Sequence, residues 1–184
     1  AVHVIDKTGP DLVVRYAHEK FGFVSELYPG LALALGSSPV NPLEMAQGYS
    51  VFATGGDRAT PYAIKRVVGP NGETVHEFTP RIEHGVFDSR VCAQIDGLMR
   101  GVIEMGTGFR AKIVPNARGK TGTTNDNRDA WFCGYTDGLI GIGWIADEQL
   151  KNKEEPYGKM GRTVFGGTVT VEFWASIMKA AHDK

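Results

Sequence analysis

The sequence predicts an α+β fold, and three observations carry that prediction. Apolar residues recur at helical spacing through the first part of the chain. Between 130 and 146, two strand-like runs are separated by Asp137-Gly138, and a last helical pattern follows near the end. Asp-Gly between half-apolar runs is a strong signal for a tight hairpin. Helices first, then antiparallel strands, then a helix able to cover them make segregated layers rather than alternating βαβ units.

The first residues, Ala1-Val2-His3-Val4-Ile5-Asp6, read as helix until Gly9-Pro10-Asp11 interrupts and starts another. Leu12, Val13, Tyr16, Ala17 and Phe21 form one apolar face, and Gly22 ends that helix. Residues 27–38 read as a loop, punctuated by Pro29-Gly30 and Gly36-Ser37-Ser38. Asn41-Pro42-Leu43-Glu44 is a helix start in which Asn41 caps, Pro42 suits the first turn and Glu44 reaches back as in a capping box. Met45, Ala46, Tyr49, Phe52 and Ala53 follow as a core-packing stripe, and Gly55-Gly56 closes the helix. Residues 62–68 and 73–78 flank Gly69-Pro70-Asn71-Gly72 as a hairpin.

Asp88 caps a long helix through Met105, with Val91, Ile95, Leu98, Met99, Val102 and Ile103 inward, and Gly106-Thr107-Gly108 terminates it. Residues 130–136 and 139–146 are the paired strands, and the charged stretch 147–159 is a surface loop. Thr168 caps a last helix carrying Phe173, Trp174, Ile177, Met178 and Ala181. No repeat, low-complexity tract or linker divides residues 1–184, which read as a single domain.

Composition narrows the function. With 184 residues, 42% of them hydrophobic, the chain holds about one domain. A formal net charge of -1 with no basic run gives no nucleic-acid footprint. No apolar run reaches the length of a membrane span and the N-terminus is not a signal peptide, so any export or anchoring signal is expected outside these residues. Cys92 and Cys133 offer no metal spacing and at most one disulfide; two buried, unreactive thiols are the expected state. His3, His18, His76, His84 and His182 are scattered without a catalytic partner, and neither a metal nor a cofactor is expected.

The candidate site is Arg118-Gly119-Lys120-Thr121-Gly122-Thr123-Thr124, followed by Asp129-Ala130-Trp131-Phe132-Cys133-Gly134-Tyr135. In an extended chain Lys120, Gly122 and Thr124 share one face, Thr121 and Thr123 the other. Gly122 lets another backbone lie close. A cation, hydroxyls and an open strand edge suit an extended peptide that ends in a carboxylate. The plainer alternative makes Lys120 a solvated strand lysine and the threonines ordinary strand formers. Trp131 and Phe132 are expected in the sheet core, and Asp129 in a structural role at the strand start.

Several runs then occur in one order: Leu33-Ala34-Leu35-Gly36-Ser37-Ser38, Pro42-Leu43-Glu44-Met45-Ala46, Phe52-Ala53-x-Gly55-Gly56, Gly101-Val102 with Gly106-Thr107-Gly108, Gly119-Lys120-Thr121-Gly122-Thr123-Thr124-Asn125-Asp126, and Asp129-Ala130-Trp131-Phe132-x-Gly134-Tyr135. The ordered set closely resembles the C-terminal part of the transpeptidase domain of class A penicillin-binding proteins, the bifunctional peptidoglycan synthases. The resemblance covers nearly the whole chain. It implies a fold like that of serine β-lactamases and D,D-transpeptidases, an antiparallel sheet flanked by helices, with 1–184 as a partial domain.

The resemblance also implies three active-site motifs, Ser-x-x-Lys, Ser-x-Asn and Lys-Thr-Gly. Only the third stands in its place; the Ser-x-Asn motif would end just before Ala1 and the nucleophile would lie further upstream, so no nucleophile is assigned on this chain. Ser176-Ile177-Met178-Lys179 has the first motif's spacing but falls in the last helix, where the family has none; it is read as a helix-surface coincidence. Gly166-Gly167-Thr168-Val169-Thr170-Val171 lacks the proline usual in the family, which leaves the local helix start open.

The implied chemistry is acyl transfer: a serine attacks the carbonyl between two D-alanines of a stem peptide, and an amine then takes the acyl group. β-Lactams mimic the D-Ala-D-Ala end. By resemblance, the Thr123 N–H is an oxyanion donor, Lys120, Thr121 and Thr123 receive the terminal carboxylate, Gly122 keeps the strand open, and Thr124 is a further substrate contact. Lys120 would also tune the serine of the Ser-x-Asn motif. Implied partners are the stem peptide, β-lactams, and the missing N-terminal segment or a self-association in its place, at the extracytoplasmic (periplasmic) face of the bacterial membrane. The isolated chain is expected to be inactive and, with apolar faces and a sheet edge uncovered, to fold well only when these are covered. The alternatives are a non-catalytic peptidoglycan-peptide-binding or scaffolding domain and, less favoured, a carboxypeptidase or β-lactamase.

Overall fold

A computed structural model of the chain describes residues 1–147 and 158–183. Helices α1 (Val2–Thr8) and α2 (Pro10–Glu19) are separated by Gly9, whose φ of 85° breaks the first helix while Pro10 opens the second. Helix α2 ends before Phe21, so that ring lies beyond the helix, tilted against Phe52 and Phe87 at 5.4 Å from each. The segment expected to be a plain loop contains a 3₁₀ turn, Leu31–Leu35.

Helix α3 (Pro42–Ala53) begins as its four-residue start predicts: the Glu44 N–H donates to Asn41 Oδ1 at 3.0 Å, and the Asn41 N–H to Glu44 Oε2 at 3.3 Å. The Glu44 carboxylate also accepts from the N–H groups of Val24 and Ser25 at 2.9 and 2.7 Å and from Ser25 Oγ at 2.7 Å. Burial works to raise its pKa, but these donors outweigh burial and hold it below the ordinary value. One glutamate therefore caps a helix and anchors a loop to it. The expected stripe of Met45, Ala46, Tyr49, Phe52 and Ala53 is only half-buried; Glu44, Gly48, Ser50 and Val51 are the buried positions. The small side of the helix is turned inward because Phe23 lies 3.0 Å from where a Cβ on Gly48 would stand.

After α3, β1 (Arg58–Ala59) pairs with β4 (Ile82–Glu83), a two-residue pairing with no sequence signal. Strands β2 (Arg66–Val68) and β3 (Thr74–Glu77) make the expected hairpin, shorter than its pattern. Helix α4 (Ser89–Glu104) is capped by Asp88, which accepts from the Arg90 N–H. Its buried positions are Cys92, Met99 and Ile103; Ile95 and Val102 are half-buried, and Val91 and Leu98, expected inward, are exposed. The helix meets the sheet along a narrow stripe. Its Asp96 accepts from Tyr135 Oη and pairs with Arg118, both at 2.9 Å.

Strands β5 (Arg118–Thr123), β6 (Asp129–Tyr135) and β7 (Ile140–Ala146) form an antiparallel sheet in that order. Register aligns Gly122 with Trp131 and Trp131 with Trp144, Lys120 with Cys133 and Cys133 with Ile142. The opposite face carries Gly119, Thr121, Thr123, Ala130, Phe132, Gly134, Gly141 and Gly143. Its glycines admit helix α5 (Val171–His182), whose Trp174 Nε1 donates to the Gly141 carbonyl at 2.9 Å. Phe132, wholly buried, meets Trp174 edge-on at 4.8 Å in a core shared with Ile103, Val114, Val171 and Met178.

Thr168 does not cap α5. It lies inside a π-helical turn, Gly166–Thr170, that runs straight into the helix, and its hydroxyl donates to the Thr163 carbonyl at 2.6 Å. Helix α5 buries Val171, Trp174, Ala175 and Met178, while Phe173, Ile177 and Ala181, the other apolar residues expected on it, are exposed. Of the loop expected over 147–159, residues 148–157 lie outside the described residues; Gly158 bridges back to Asp147.

The accessible area is 11639 Å². A compact 20.0 kDa monomer exposes about 8,700 Å². Large apolar side chains such as Val24, Leu35 and Met105 are exposed.

Candidate functional site

Strand β5 is the outer strand of its sheet, and among the described residues no strand pairs with its far side. Which of its backbone groups face that side follows from one bond. The Thr124 N–H donates to the Asp129 carbonyl at 3.1 Å. Hydrogen-bonded and non-hydrogen-bonded pairs alternate along an antiparallel ladder. Gly122 and Lys120 therefore turn their backbone groups toward β6, and Thr123 and Thr121 turn theirs to the open side. Consistent with this, Lys120 Nζ curls over the edge and donates to the Thr121 carbonyl at 2.9 Å, with Thr121 Oγ1 at 3.4 Å.

The two hydroxyls on the opposite face from Lys120 are already engaged. Thr121 Oγ1 lies 2.6 Å from Thr107 Oγ1, and Thr123 Oγ1 accepts from the Gly166 N–H at 3.0 Å. Gly166 comes so close that a Cβ there would stand 2.5 Å from the carbonyl oxygens of Gly122 and Trp131. A Cβ on Gly122 would meet the Trp131 Cβ at 3.2 Å. The missing side chain of Gly122 thus serves packing within the sheet, and the open approach is along the edge.

Thr124 lies just past β5 and is exposed. Its hydroxyl is tied to the backbone of Asp129, accepting from that N–H at 2.9 Å. The Asp129 carboxylate takes the indole N–H groups of Trp131 and Trp144 at 3.0 and 3.1 Å, which bears out its structural role. The two indoles tilt against each other at 5.8 Å, and Trp131 is half-buried rather than core, unlike Phe132. Burial pushes the Cys133 thiol up to about 12, and burial also raises that of Cys92, so neither is a nucleophile near neutral pH.

Ser176 and Lys179 do not form a catalytic pair. Ser176 Oγ donates to the Glu172 carbonyl at 2.9 Å and Lys179 Nζ binds Asp183 at 2.7 Å, both exposed on α5. Among the described residues no cluster of metal-ligating side chains is present, and no helix is long and apolar enough to cross a membrane. Two residues that touch the strand's hydroxyls, Thr107 and Gly166, carry no site role in the sequence, where Thr107 belongs to a helix stop within one of the family's runs and Gly166 to a helix entry. Nothing in their spacing signals that they reach β5.

Residues 12–153 match the family described as penicillin binding protein transpeptidase domain. Penicillin-binding protein 1A of Neisseria cinerea is 35% identical over 178 residues, covering 91% of this chain and 21% of that protein. The chain spans about a fifth of the length of such curated relatives. The crystal structure of penicillin-binding protein 1A from Haemophilus influenzae superposes with a TM-score of 0.86 at 23% identity, over 98% of this chain and 32% of that one. Penicillin-binding protein A from Mycobacterium tuberculosis, solved as an imipenem acyl-enzyme complex, gives a TM-score of 0.74 at 19% identity, over 98% of this chain and 44% of that one. The likeness to these structures bears out the α+β transpeptidase fold.

Proposed function

Because the chain belongs to the transpeptidase domain family of penicillin-binding proteins, we propose that it supplies the Lys-Thr-Gly wall of a serine D,D-transpeptidase site. That site would cross-link peptidoglycan stem peptides and be acylated by β-lactams. The observation that carries this reading is the open edge of β5, where the backbone groups of Thr121 and Thr123 face outward beside the Lys120 ammonium.

Each part answers a need of the reaction. Attack on the peptide or lactam carbonyl places negative charge on its oxygen, and the outward Thr123 N–H stabilises that charge. Loss of one such donor in comparable hydrolases costs about 3–4 kcal/mol. The terminal carboxylate of D-Ala-D-Ala, or its counterpart on a β-lactam, takes hydrogen bonds from Thr121 and Thr123 and charge from Lys120. Lys120 also helps hold the serine of the second motif ready for proton transfer. The peptide backbone lies along the strand edge against the outward groups of Thr121 and Thr123, with Thr124 holding the strand end through Asp129.

The nucleophilic serine and its lysine come from residues outside this chain. So does the anchor that places the site at the extracytoplasmic, periplasmic face of the membrane. The exposed large apolar side chains, Val24, Leu35 and Met105 among them, support a domain completed by further residues or by self-association.

Intact mass spectrometry of the chain after incubation with a penicillin tests the division of labour. The expected result is an unchanged mass. A stoichiometric adduct on the isolated chain would return Ser176 to candidacy and sink the proposal.

A further inference from the structure

We propose that Thr107 is a positioning residue for the substrate carboxylate, turning the Thr121 hydroxyl hydrogen toward the open edge of β5. This rests on the reading of β5 as the carboxylate-binding strand. A carboxylate only accepts hydrogen bonds, so each hydroxyl that serves it must donate outward. Thr123 meets this condition through its backbone neighbour: its oxygen accepts from the Gly166 N–H at 3.0 Å, which leaves its hydrogen for a ligand.

Thr121 has two polar neighbours. Lys120 Nζ, 3.4 Å away, can only donate to it. Thr107 Oγ1, 2.6 Å away, can act as donor or acceptor. When an anion arrives at the edge, the arrangement that serves it has Thr107 donate to Thr121 and Thr121 donate to the anion. A hydroxyl that accepts one bond makes a stronger donor of its own hydrogen.

Thr107 is also fixed in place. It lies in the Gly106-Thr107-Gly108 turn after α4, and its carbonyl packs where a Cβ on Gly167 would stand 2.9 Å away. The turn therefore touches both β5 and the Gly166-Gly167 segment, which itself packs on β5. Its hydroxyl reaches Thr121 from a held backbone.

The test uses the longest natural protein that carries this chain, acylated by a penicillin and by the methyl ester of the same penicillin. Thr107→Val keeps the shape and removes the hydroxyl; Thr107→Ser keeps the hydroxyl. For the free carboxylate, Thr107→Val is expected to lower the acylation rate constant about 5- to 10-fold, the scale of one hydrogen bond between neutral hydroxyls. Thr107→Ser should stay within about threefold. For the ester, all three proteins should react at similar rates.

Equal losses on both ligands, or no loss with Thr107→Val, would overturn the role of Thr107. A Thr107→Ser protein as slow as Thr107→Val would also overturn it. Lys120→Ala separates this inference from the reading beneath it. If Lys120→Ala slows acylation and Thr107→Val does not, only the Thr107 role fails. If neither slows it, the assignment of β5 fails as well.

Discussion

Lys120→Ala should lower the rate constant for penicillin acylation by about 10²- to 10³-fold in the longest natural protein that carries this chain, the range seen when one preorganised electrostatic contact to the reacting group is removed. The protein itself should survive the change. Lys120 is exposed, and the bonds it makes go to its neighbour Thr121 alone among the described residues. Surface substitutions of this kind alter stability by about 0.5 kcal/mol or less. Acylation kinetics measured beside a thermal melt separate the two effects. A Lys120→Ala protein that melts normally and acylates normally would make this residue the solvated strand lysine of the plainer reading. Lys120→Arg keeps the charge on a broader head with a fixed fork of donors, and should recover only part of the rate.

Gly166→Ala should lower both stability and acylation, for a reason of space. Its Cβ would stand 2.5 Å from two carbonyl oxygens, those of Gly122 and Trp131, and 3.0 Å from the Gly122 nitrogen. These are backbone atoms of paired strands and cannot turn aside as a flexible side chain would. Forcing an extra methyl into such a contact costs about 1–3 kcal/mol. Either the turn lifts off the sheet or β5 shifts, and both take the Gly166 N–H away from Thr123 Oγ1. Gly138→Ala serves as the control, because nothing lies within 4 Å of its Cβ position. A thermal melt should separate the two variants by several degrees. A Gly166→Ala protein as stable as Gly138→Ala would contradict the close packing of this turn on β5.

What was legible in the sequence was mostly local. The Asn41–Glu44 start is written in four consecutive residues and formed with both of its reciprocal bonds. The Asp137-Gly138 turn set the register of β6 and β7, and the alternation along β5 placed Lys120 opposite Thr121 and Thr123. A pattern misleads where it must be assigned to a partner that it does not name. Leu98 and Ile177 sit at helical spacing, yet α4 and α5 meet the sheet along stripes too narrow to include them. Trp131 lies on the strand beside Phe132, but faces the less covered side, where Asp129 draws its indole N–H.

The candidate site divides in the same way. Lys120 to Thr124 could be proposed from the sequence because a cation, a glycine and three hydroxyls stand in adjacent residues. Thr107 and Gly166 could not, because each reaches the strand from 14 and 43 residues away in the chain. Their link to β5 exists only once helix α4 and the turn before α5 are packed.

Mapping the penicillin adduct tests the central claim most directly. The longest natural protein that carries this chain is labelled with a penicillin, digested, and its modified peptide sequenced by mass spectrometry, with the Lys120→Ala protein alongside. The account predicts one modified serine outside residues 1–184, with labelling strongly slowed in Lys120→Ala. An adduct on Ser176 or any other serine of this chain, or full-rate labelling without Lys120, would contradict it.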